Sequence, residues 1–369
     1  RTAREQAVME PRATKPPARK LLVGERRASR MPRLPSTRVQ EMPSSRTPPR
    51  KVSESLVQLD DIREAQERLR PVVVRTPLYR ADVLSGELGS DIRLKLESLQ
   101  RSGSFKFRGA YNFIAQTSND VRSRGVITYS SGNHAQAVAL AAQLHGIRAV
   151  VVMPTTVPRV KRLGAERLGA EVVLEGTTSL ERKARAESIA EERGLVIIPP
   201  FDDPRIIAGA GTVGLEIAED WDAFDSVLVP IGGGGLCSGT AAALRRLRPD
   251  VRIVGVEPTG GASMKAALEA GEPVTLDRTE SVADGLMPVR TGDLAFKHVR
   301  ELVDDVVLVD DDAIRSASAF LFKRQRLVVE LSGAATTAAL RSGQVETEGR
   351  SVVAVVSGGN VDPAVLMDL

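Results

Sequence analysis

Residues that bind metals or form disulfides are scarce in this sequence. Its 369 residues include one cysteine, Cys237, and three histidines. A single cysteine excludes an intrachain disulfide and is typical of a reducing compartment. A zinc site of clustered cysteine and histidine ligands is excluded because too few such residues exist. No apolar run approaches the roughly 20 residues that a membrane-spanning helix needs. We therefore expect a cytoplasmic protein with no membrane partner.

Aromatic residues are also few, at 3%, while 42% of the residues are hydrophobic and 27% are charged. This composition predicts a globular protein with an aliphatic core, and the length allows two domains. The basic balance is local, because residues 1–50 hold 13 Lys+Arg against 4 Asp+Glu and 8 of the 21 prolines. The rest of the chain has 38 Lys+Arg against 43 Asp+Glu. We expect residues 1–50 to be a disordered basic extension, and we favour this over nucleic-acid binding.

Short β-branched runs alternate with Ala/Glu/Arg-rich stretches from residue 53 onward. Strands are predicted at residues 92–96, 126–129, 149–153, 171–174, 196–198, 226–229, 252–256, 306–309 and 351–356. Helices are predicted at residues 133–144, 158–168, 178–192, 211–220, 236–247, 311–324 and 333–341. This alternation indicates an α/β fold with open parallel sheets covered on both faces. Ligands bind beyond the carboxyl ends of such strands, so the loops there are candidate sites.

Lys106 lies in one such loop, the segment SGSFKFRGA at residues 102–110. It stands among small residues between a predicted strand and a helix-like segment. A lysine amine that loses solvent loses its proton more readily, and it can condense with an aldehyde. Most lysines are solvated surface charges, so this segment alone is a weak indication of a catalytic lysine. The other loops strengthen that interpretation.

A second loop follows the strand at 126–129 and is rich in small polar residues. Its members are Ser130, Ser131, Gly132, Asn133 and His134. The serines and the asparagine can cap the Ala-rich helix that follows, whose free N–H groups and dipole attract an anion. The loop therefore indicates either ordinary helix capping or a carboxylate-binding site.

A third loop joins a hydrophobic strand to a helix through Gly232, Gly233, Gly234 and Gly235, followed by Leu236. Backbone N–H groups unshielded by side chains can bind one phosphate. A P-loop is excluded because no Gly-Lys-Ser/Thr follows. A fourth loop ends the strand at 351–356 in another glycine-rich turn, where the hydroxyl of Ser357 can face a ring nitrogen.

Together, an amine, a phosphate site, a carboxylate site and a neutral partner for a ring nitrogen predict a site for pyridoxal 5'-phosphate and an amino acid. On these motifs the chain resembles the serine/threonine dehydratase and serine racemase group of fold-type II pyridoxal-phosphate enzymes. The motifs occur in the family's order, as SGSFKFRGA, SSGNHAQA, AGAGTVGLE, PIGGGGL, VEPTG, ADG and SGGN. The resemblance covers about residues 55–365. It implies the two-domain, tryptophan-synthase-β-like α/β fold and pyridoxal 5'-phosphate as the cofactor.

The resemblance also implies a role for each matching residue. Lys106 would bind the cofactor as a Schiff base and act as the base at the substrate α-carbon. Phe105 would pack near the cofactor ring, Asn133 would hydrogen-bond its 3-hydroxyl, and Ser357 would face its nitrogen. The phosphate would be bound by residues 232–236. The substrate carboxylate would be bound by Ser130, Ser131, Gly132, Asn133 and His134. Ser131 matches the second acid/base of the racemase, so it is also a catalytic candidate.

Domain organisation and partners follow from the same resemblance. We expect a large cofactor-binding domain from residues 51–124 and 202–369, and a small domain from residues 125–201. The chain ends nine residues after Asn360, so we expect no C-terminal regulatory domain. A homodimer or homotetramer is expected. Glu257 is a weak metal candidate, because Ser263 stands where cation-binding relatives carry an aspartate.

The predicted activity is β-elimination from L-threonine or L-serine, which yields 2-oxobutanoate or pyruvate together with ammonia. Serine racemase and 3-hydroxyaspartate dehydratase activities stay open, because those enzymes share the scaffold. A non-catalytic protein that binds the cofactor is a further alternative.

Overall fold

The computed structural model describes residues 53–130, 132–157 and 159–367. The predicted extension at residues 1–50 and the candidate Ser131 lie outside these residues. The strands are β1 Leu78–Arg80, β2 Asp91–Leu96, β3 Val126–Tyr129, β4 Ala149–Met153, β5 Glu171–Leu174, β6 Val196–Ile197, β7 Ser226–Pro230, β8 Arg252–Pro258, β9 Asp305–Val309 and β10 Ser351–Val356.

Helices lie between most of these strands. They are α1 Leu59–Leu69, α2 Asp82–Leu88, α3 Lys106–Ala115, α4 Asn119–Arg124, α5 Asn133–His145, α6 Arg159–Arg167, α7 Ser179–Arg193, α8 Pro204–Asp220, α9 Gly235–Leu247, α10 Ser263–Ala270, α11 Asp293–Leu302, α12 Asp311–Lys323, α13 Ala335–Arg341 and α14 Pro363–Met367. Among the described residues, no helix is both long enough and apolar enough to cross a bilayer.

The strands form two sheets. The larger has the order β1-β2-β10-β7-β8-β9 and the smaller the order β5-β4-β3-β6. All pairs are parallel except β1 with β2. Parallel pairing needs a crossover between neighbours, which the intervening helices supply. The predicted α/β fold is thus confirmed, and β10, the last strand in sequence, lies at the centre of the larger sheet.

The larger sheet is buried on both faces, and strand alternation divides its side chains between two cores. Val353 and Val355 of β10 enter one hydrophobic cluster. Val352, Ala354 and Val356 enter the other. A continuous β-branched run is what such a doubly covered strand requires, which explains why the sequence indicated this strand so clearly.

Helices α8 and α9 approach each other closely because glycines face the contact. A Cβ on Gly239 would lie 2.3 Å from the carbonyl oxygen of Ile207. A Cβ on Gly214 would lie 2.7 Å from that of Thr240. Such distances exclude any side chain, so the glycines in AGAGTVGLE and GGGGLCSG are packing residues that bring α9 close to α8.

The predicted elements agree with the structure except at a few ends and omissions. Helix α8 begins at Pro204 rather than at residue 211, because Asp203 caps it by accepting from the Arg205 N–H at 2.8 Å. The helix start could not be recognised from the sequence because the first turns of α8 contain glycine, which disfavours a helix. The sequence analysis also missed the short strand β1 and the helices α1, α2, α4, α10, α11 and α14. All four strands of the smaller sheet lie within residues 126–197. The division into a small domain at residues 125–201 and a large domain stays a prediction.

Candidate active site

Three of the four candidate loops follow neighbouring strands of the larger sheet. Strands β2, β10 and β7 are adjacent and parallel, so their carboxyl ends meet at one edge. The loop after β2 carries Lys106, the loop after β10 carries Ser357, and the loop after β7 carries the four glycines. The first two touch directly, because the Phe105 N–H donates to the Ser357 carbonyl oxygen at 3.1 Å.

Lys106 is the first residue of α3, and no carboxylate among the described residues forms an ion pair with it. Its Nζ donates to the Pro200 carbonyl oxygen at 2.7 Å. The same atom lies 5.2 Å from the centre of the Phe105 ring and 6.0 Å from that of Phe201. Burial among these groups lowers the pKa of the Lys106 amine to about 8, since desolvation disfavours the charged form. Roughly one tenth of the amine is therefore neutral and nucleophilic at pH 7.

The glycine loop packs against Phe201. A Cβ on Gly233 would lie 2.2 Å from the Phe201 ring, and one on Gly235 would lie 3.0 Å from the Phe201 carbonyl oxygen. Gly234 has φ +98°, which disfavours other residues. Helix α9 begins at Gly235, and the Ser238 N–H donates to the Gly234 carbonyl oxygen. The first N–H groups of a helix have no acceptor within it, so this end can bind a phosphate.

Residues 198–202 connect the candidate groups, and the sequence analysis missed them. The Ile198 and Pro200 carbonyl oxygens accept from His134 and Lys106. Phe201 covers the glycine loop, and Asp202 accepts the first N–H groups of α11. The residues that follow β6 thus bring Lys106, His134 and the glycines into one site. The Pro-Pro-Phe sequence after a predicted strand was the available signal.

His134 is held as a neutral ring. Its Nε2 lies 3.1 Å from the Ile198 carbonyl oxygen, which can only accept, so Nε2 carries the proton. Burial, with a contribution from Lys106, lowers the pKa of His134 to about 3. Its buried Nδ1 has no hydrogen-bond partner within the described part of the chain. This nitrogen is an acceptor, so it suits an ammonium or hydroxyl group of a ligand better than the predicted carboxylate.

The loop before α5 does not cap its helix in the ordinary way. The N-cap residue is Gly132, and the Ser130 hydroxyl accepts from the Gly132 N–H at 3.3 Å rather than from a helical N–H. Lys161 lies close by, because a Cβ on Gly132 would be 3.6 Å from its Nζ. The first N–H groups of a helix have no acceptor within it, and beside a lysine they favour an anion here.

Asn133 opens α5 and contacts a buried acid. Its Nδ2 donates to Oε1 of Glu330 at 2.5 Å. Burial, with the nearby charge of Asp284, raises the pKa of Glu330 to about 7, while Asn133 and Lys161 oppose the rise. Lys161 and Asp284 form an ion pair. Sequence analysis assigned no role to Glu330, Lys161 or Asp284, although Asp284 lies in the ADG motif.

Residues 69–358 match the family described as "Pyridoxal-phosphate dependent enzyme". The chain belongs to this family. It is 44% identical over 307 residues to L-threonine ammonia-lyase of Thermotoga maritima, a match that covers 83% of this chain and 76% of that protein. It is 42% identical over 308 residues to the catabolic L-threonine dehydratase of Escherichia coli K12, covering 83% and 94%. The structure of maize serine racemase superposes with a TM-score of 0.81 at 39% identity, covering 85% and 96%.

The site has the features that the cofactor of this family requires. Lys106 offers a desolvated amine, and the loop at residues 232–235 offers backbone N–H groups where a Cβ has no room. Ser357 is 4% exposed and lies against the Lys106 loop. The residues therefore fit pyridoxal 5'-phosphate: Lys106 would hold the cofactor through its aldehyde, and the glycine loop would bind its phosphate.

Glu257, the weak metal candidate, and the single cysteine Cys237 are both buried. Both oxygens of the fully buried Glu257 accept backbone N–H groups of α10, from Met264 and Lys265, at 2.8 Å each. Burial raises the pKa of this carboxyl to about 7. Within the described ranges, no group of three or more His, Cys, Asp or Glu is arranged to hold a metal ion. Cys237 is buried, and desolvation raises the pKa of its thiol to about 12, which makes it an inert core residue.

Proposed function

We propose that the protein catalyses the pyridoxal-phosphate-dependent β-elimination of L-threonine, L-serine or both, to a 2-oxo acid and ammonia. The observation that carries the proposal is the desolvated Lys106 amine, which lies 6.0 Å from the centre of the Phe201 ring that packs against the glycine loop. Relatives named threonine ammonia-lyase and threonine dehydratase share 44% and 42% of its residues over most of the chain.

Lys106 has two tasks in this proposal. Its amine would hold the cofactor, and its Nζ would take the proton from the substrate α-carbon. When bound, the cofactor supplies an electron sink that makes this proton acidic. A base with a pKa of about 8 is near the optimum for proton transfer at neutral pH. The N–H groups at the start of α5, with Ser130 and Ser131, orient the carboxylate, and His134 accepts from a donor of the substrate.

Ser357 favours elimination over transamination. A hydroxyl carries no negative charge and so holds no proton on a ring nitrogen, whereas a carboxylate would. A cofactor held in this way would stabilise negative charge at the α-carbon less strongly, so prompt loss of the β-hydroxyl would be favoured over transamination.

The test compares L-threonine, L-serine and 3-hydroxyaspartate at saturating pyridoxal phosphate, with 2-oxo acid as the readout. We expect 2-oxobutanoate from threonine or pyruvate from serine, and neither from Lys106→Ala. The control Lys183→Ala alters a half-exposed lysine on α7 and leaves the rates unchanged. If only 3-hydroxyaspartate were consumed, the assignment to threonine and serine would be wrong.

Serine racemisation is a second candidate, since the structure of maize serine racemase superposes over 85% of the chain. Ser131 is the proposed acid/base on the face of the α-carbon opposite Lys106. Chiral chromatography of the product from L-serine tests it. Accumulation of D-serine, with its loss in Ser131→Ala, would establish racemisation, and pyruvate alone would exclude it.

We further propose the two-domain division at residues 125–201, a cytoplasmic location and a homo-oligomeric state. The four-stranded sheet, built from residues 126–197, supports the division. Light scattering coupled to gel filtration tests the oligomeric state, and a monomeric mass at working concentration would refute that part.

A further inference from the structure

Gly103 and Gly358, two glycines beside the site, have no room for a side chain. Asn360 and Glu330 occupy the space that a Cβ on each of them would need. Gly103 has φ +75°, and a Cβ there would lie 2.2 Å from Asn360 Oδ1. A Cβ on Gly358 would lie 2.1 Å from Glu330 Oε1. The glycines of the SGSFK and SGGN segments thus make room for two polar side chains that the proposed reaction does not use.

Asn360 and Glu330 contact the two ends of the Asn133 amide. Asn360 Nδ2 lies 2.8 Å from Asn133 Oδ1 and 2.8 Å from the Ser102 carbonyl oxygen. Asn133 Nδ2 donates to Glu330 Oε1. The four groups therefore form a continuous chain of hydrogen bonds, from the backbone carbonyl of Ser102 to the carboxyl of Glu330.

The Ser102 carbonyl fixes the direction of this chain. A carbonyl oxygen can only accept, so the Asn360 atom facing it must be the nitrogen. The second hydrogen of that nitrogen then points at Asn133, which must present its oxygen. The Asn133 nitrogen is consequently turned towards Glu330, where a carboxyl oxygen accepts one of its two hydrogens. The reverse orientation would set two donors against each other at Asn360 and two oxygens against each other at Glu330.

From this geometry we propose that Asn360 and Glu330 are positioning residues that fix Asn133 as a hydrogen-bond donor towards the 3-oxygen of the cofactor. One Nδ2 hydrogen of Asn133 stays available after Glu330 has taken the other, and a donor suits an oxygen that bears negative charge. This positioning role rests on the proposed function only because both require pyridoxal 5'-phosphate to bind at the site. It does not depend on which amino acid the enzyme consumes.

The test is a double-mutant cycle on the affinity for pyridoxal phosphate, measured by titrating the cofactor-free protein. Asn360→Asp keeps the shape but replaces the donor by an oxygen. In the native background we expect a Kd weaker by roughly 10-fold to 100-fold, the range for a lost or unsatisfied buried hydrogen bond. In the Asn133→Ala background the same substitution should change Kd by less than about twofold, because the group on which Asn360 acts is absent.

Three controls keep the result interpretable. Asn119→Asp introduces the same change at an exposed residue of α4 and should leave Kd unchanged. Asn360→Ala removes the donor without adding charge, so it replaces Asn360→Asp if thermal unfolding shows that the acidic variant does not fold. Asn360→Asp should shift Kd without a matching loss of thermal stability, as a positioning role requires.

An equal loss of affinity in both backgrounds, or no loss in the native background, would overturn the proposal. A coupled cycle in a protein that does not turn over threonine or serine would refute the proposed function and leave the role of Asn360 and Glu330 standing.

Discussion

Lys106 and Arg108 are two residues apart on α3, and their surroundings shift the pKa values of the two side chains in opposite directions. Lys106 is desolvated, it has no carboxylate partner in the part of the chain that the structure describes, and its pKa falls to about 8. Arg108 is fully buried, yet it bonds Glu97 at 2.8 Å and Glu216 at 2.7 Å. Although burial opposes it, these charges raise the pKa of Arg108 above its ordinary value. Lys95 completes the group by bonding Glu216 at 2.6 Å.

The comparison shows that partner geometry, more than burial, decides whether a cation becomes reactive. The group formed by Lys95, Glu97, Arg108 and Glu216 has two charges of each sign and links β2, α3 and α8, so it fixes the helix on which Lys106 stands. A buried charge that is paired stays charged, whereas one that is unpaired shifts towards its neutral form. The same rule separates Glu97, whose pKa is lowered mainly by Arg108 against the effect of burial, from Glu330, whose pKa rises.

The substitution Lys106→Arg should give the largest effect, because it removes the difference between the two positions. A guanidinium stays protonated and can neither hold the cofactor nor take a proton. We expect activity to fall by at least about 1,000-fold while the far-UV circular dichroism is unchanged. Restoration of activity by added primary amines would support the assignment, and appreciable turnover by the unassisted variant would contradict it.

Breaking the paired cluster should instead damage stability. Arg108→Met leaves Glu97 and Glu216 buried without their main partner, and losses of about 3–5 kcal/mol are typical of such changes. Urea unfolding of the cofactor-free protein measures this loss. The matched control is Arg193→Met, which breaks an ion pair with Glu171 between side chains that are 40% and 44% exposed, and its effect on stability should be small because solvent screens such a pair. Equal losses of unfolding free energy in the two variants would show that the buried ion pairs of Arg108 stabilise the protein no more than an exposed ion pair does.

The sequence predicted one side of this comparison and missed the other. Lys106, the glycines and Ser357 could be recognised because each lies in a short local segment after a predicted strand. The partners of Arg108 could not, since Glu97 and Glu216 lie 11 and 108 residues away in the chain and resemble ordinary surface acids. Phe201 and Asn360 were missed for the same reason, because their roles arise only where β6, β7 and β10 end near one another.

The third prediction concerns Glu330, a buried acid that forms no ion pair with a described residue. Its pKa is raised from 4.5 to about 7, so burial of its charge destabilises the folded protein as the pH rises from about 4.5 to 7. Glu330→Gln removes this charge and keeps an acceptor for Asn133. We expect the cofactor-free variant to be more stable than the native protein by about 3 kcal/mol at pH 8, and by under about 1 kcal/mol at pH 5. The control Glu346→Gln changes an exposed acid and should show no such pH dependence. A stabilisation by Glu330→Gln that does not change with pH would contradict the assigned pKa.

The smallest effect concerns the protonation of Lys106 itself. With a pKa of about 8, the neutral fraction of its amine rises from roughly one tenth at pH 7 to roughly nine tenths at pH 9. The rate at which the cofactor-free protein attaches pyridoxal phosphate should therefore increase about tenfold over this interval and level off above it. A free lysine derivative, whose amine has an ordinary pKa, should show an increase of nearly a hundredfold with no plateau. If the attachment rate of the protein rose with pH as steeply as that of the free lysine derivative, the pKa of Lys106 would not be lowered. Lys106 and Arg108 would then differ in their ion pairs but not in the direction of a pKa shift.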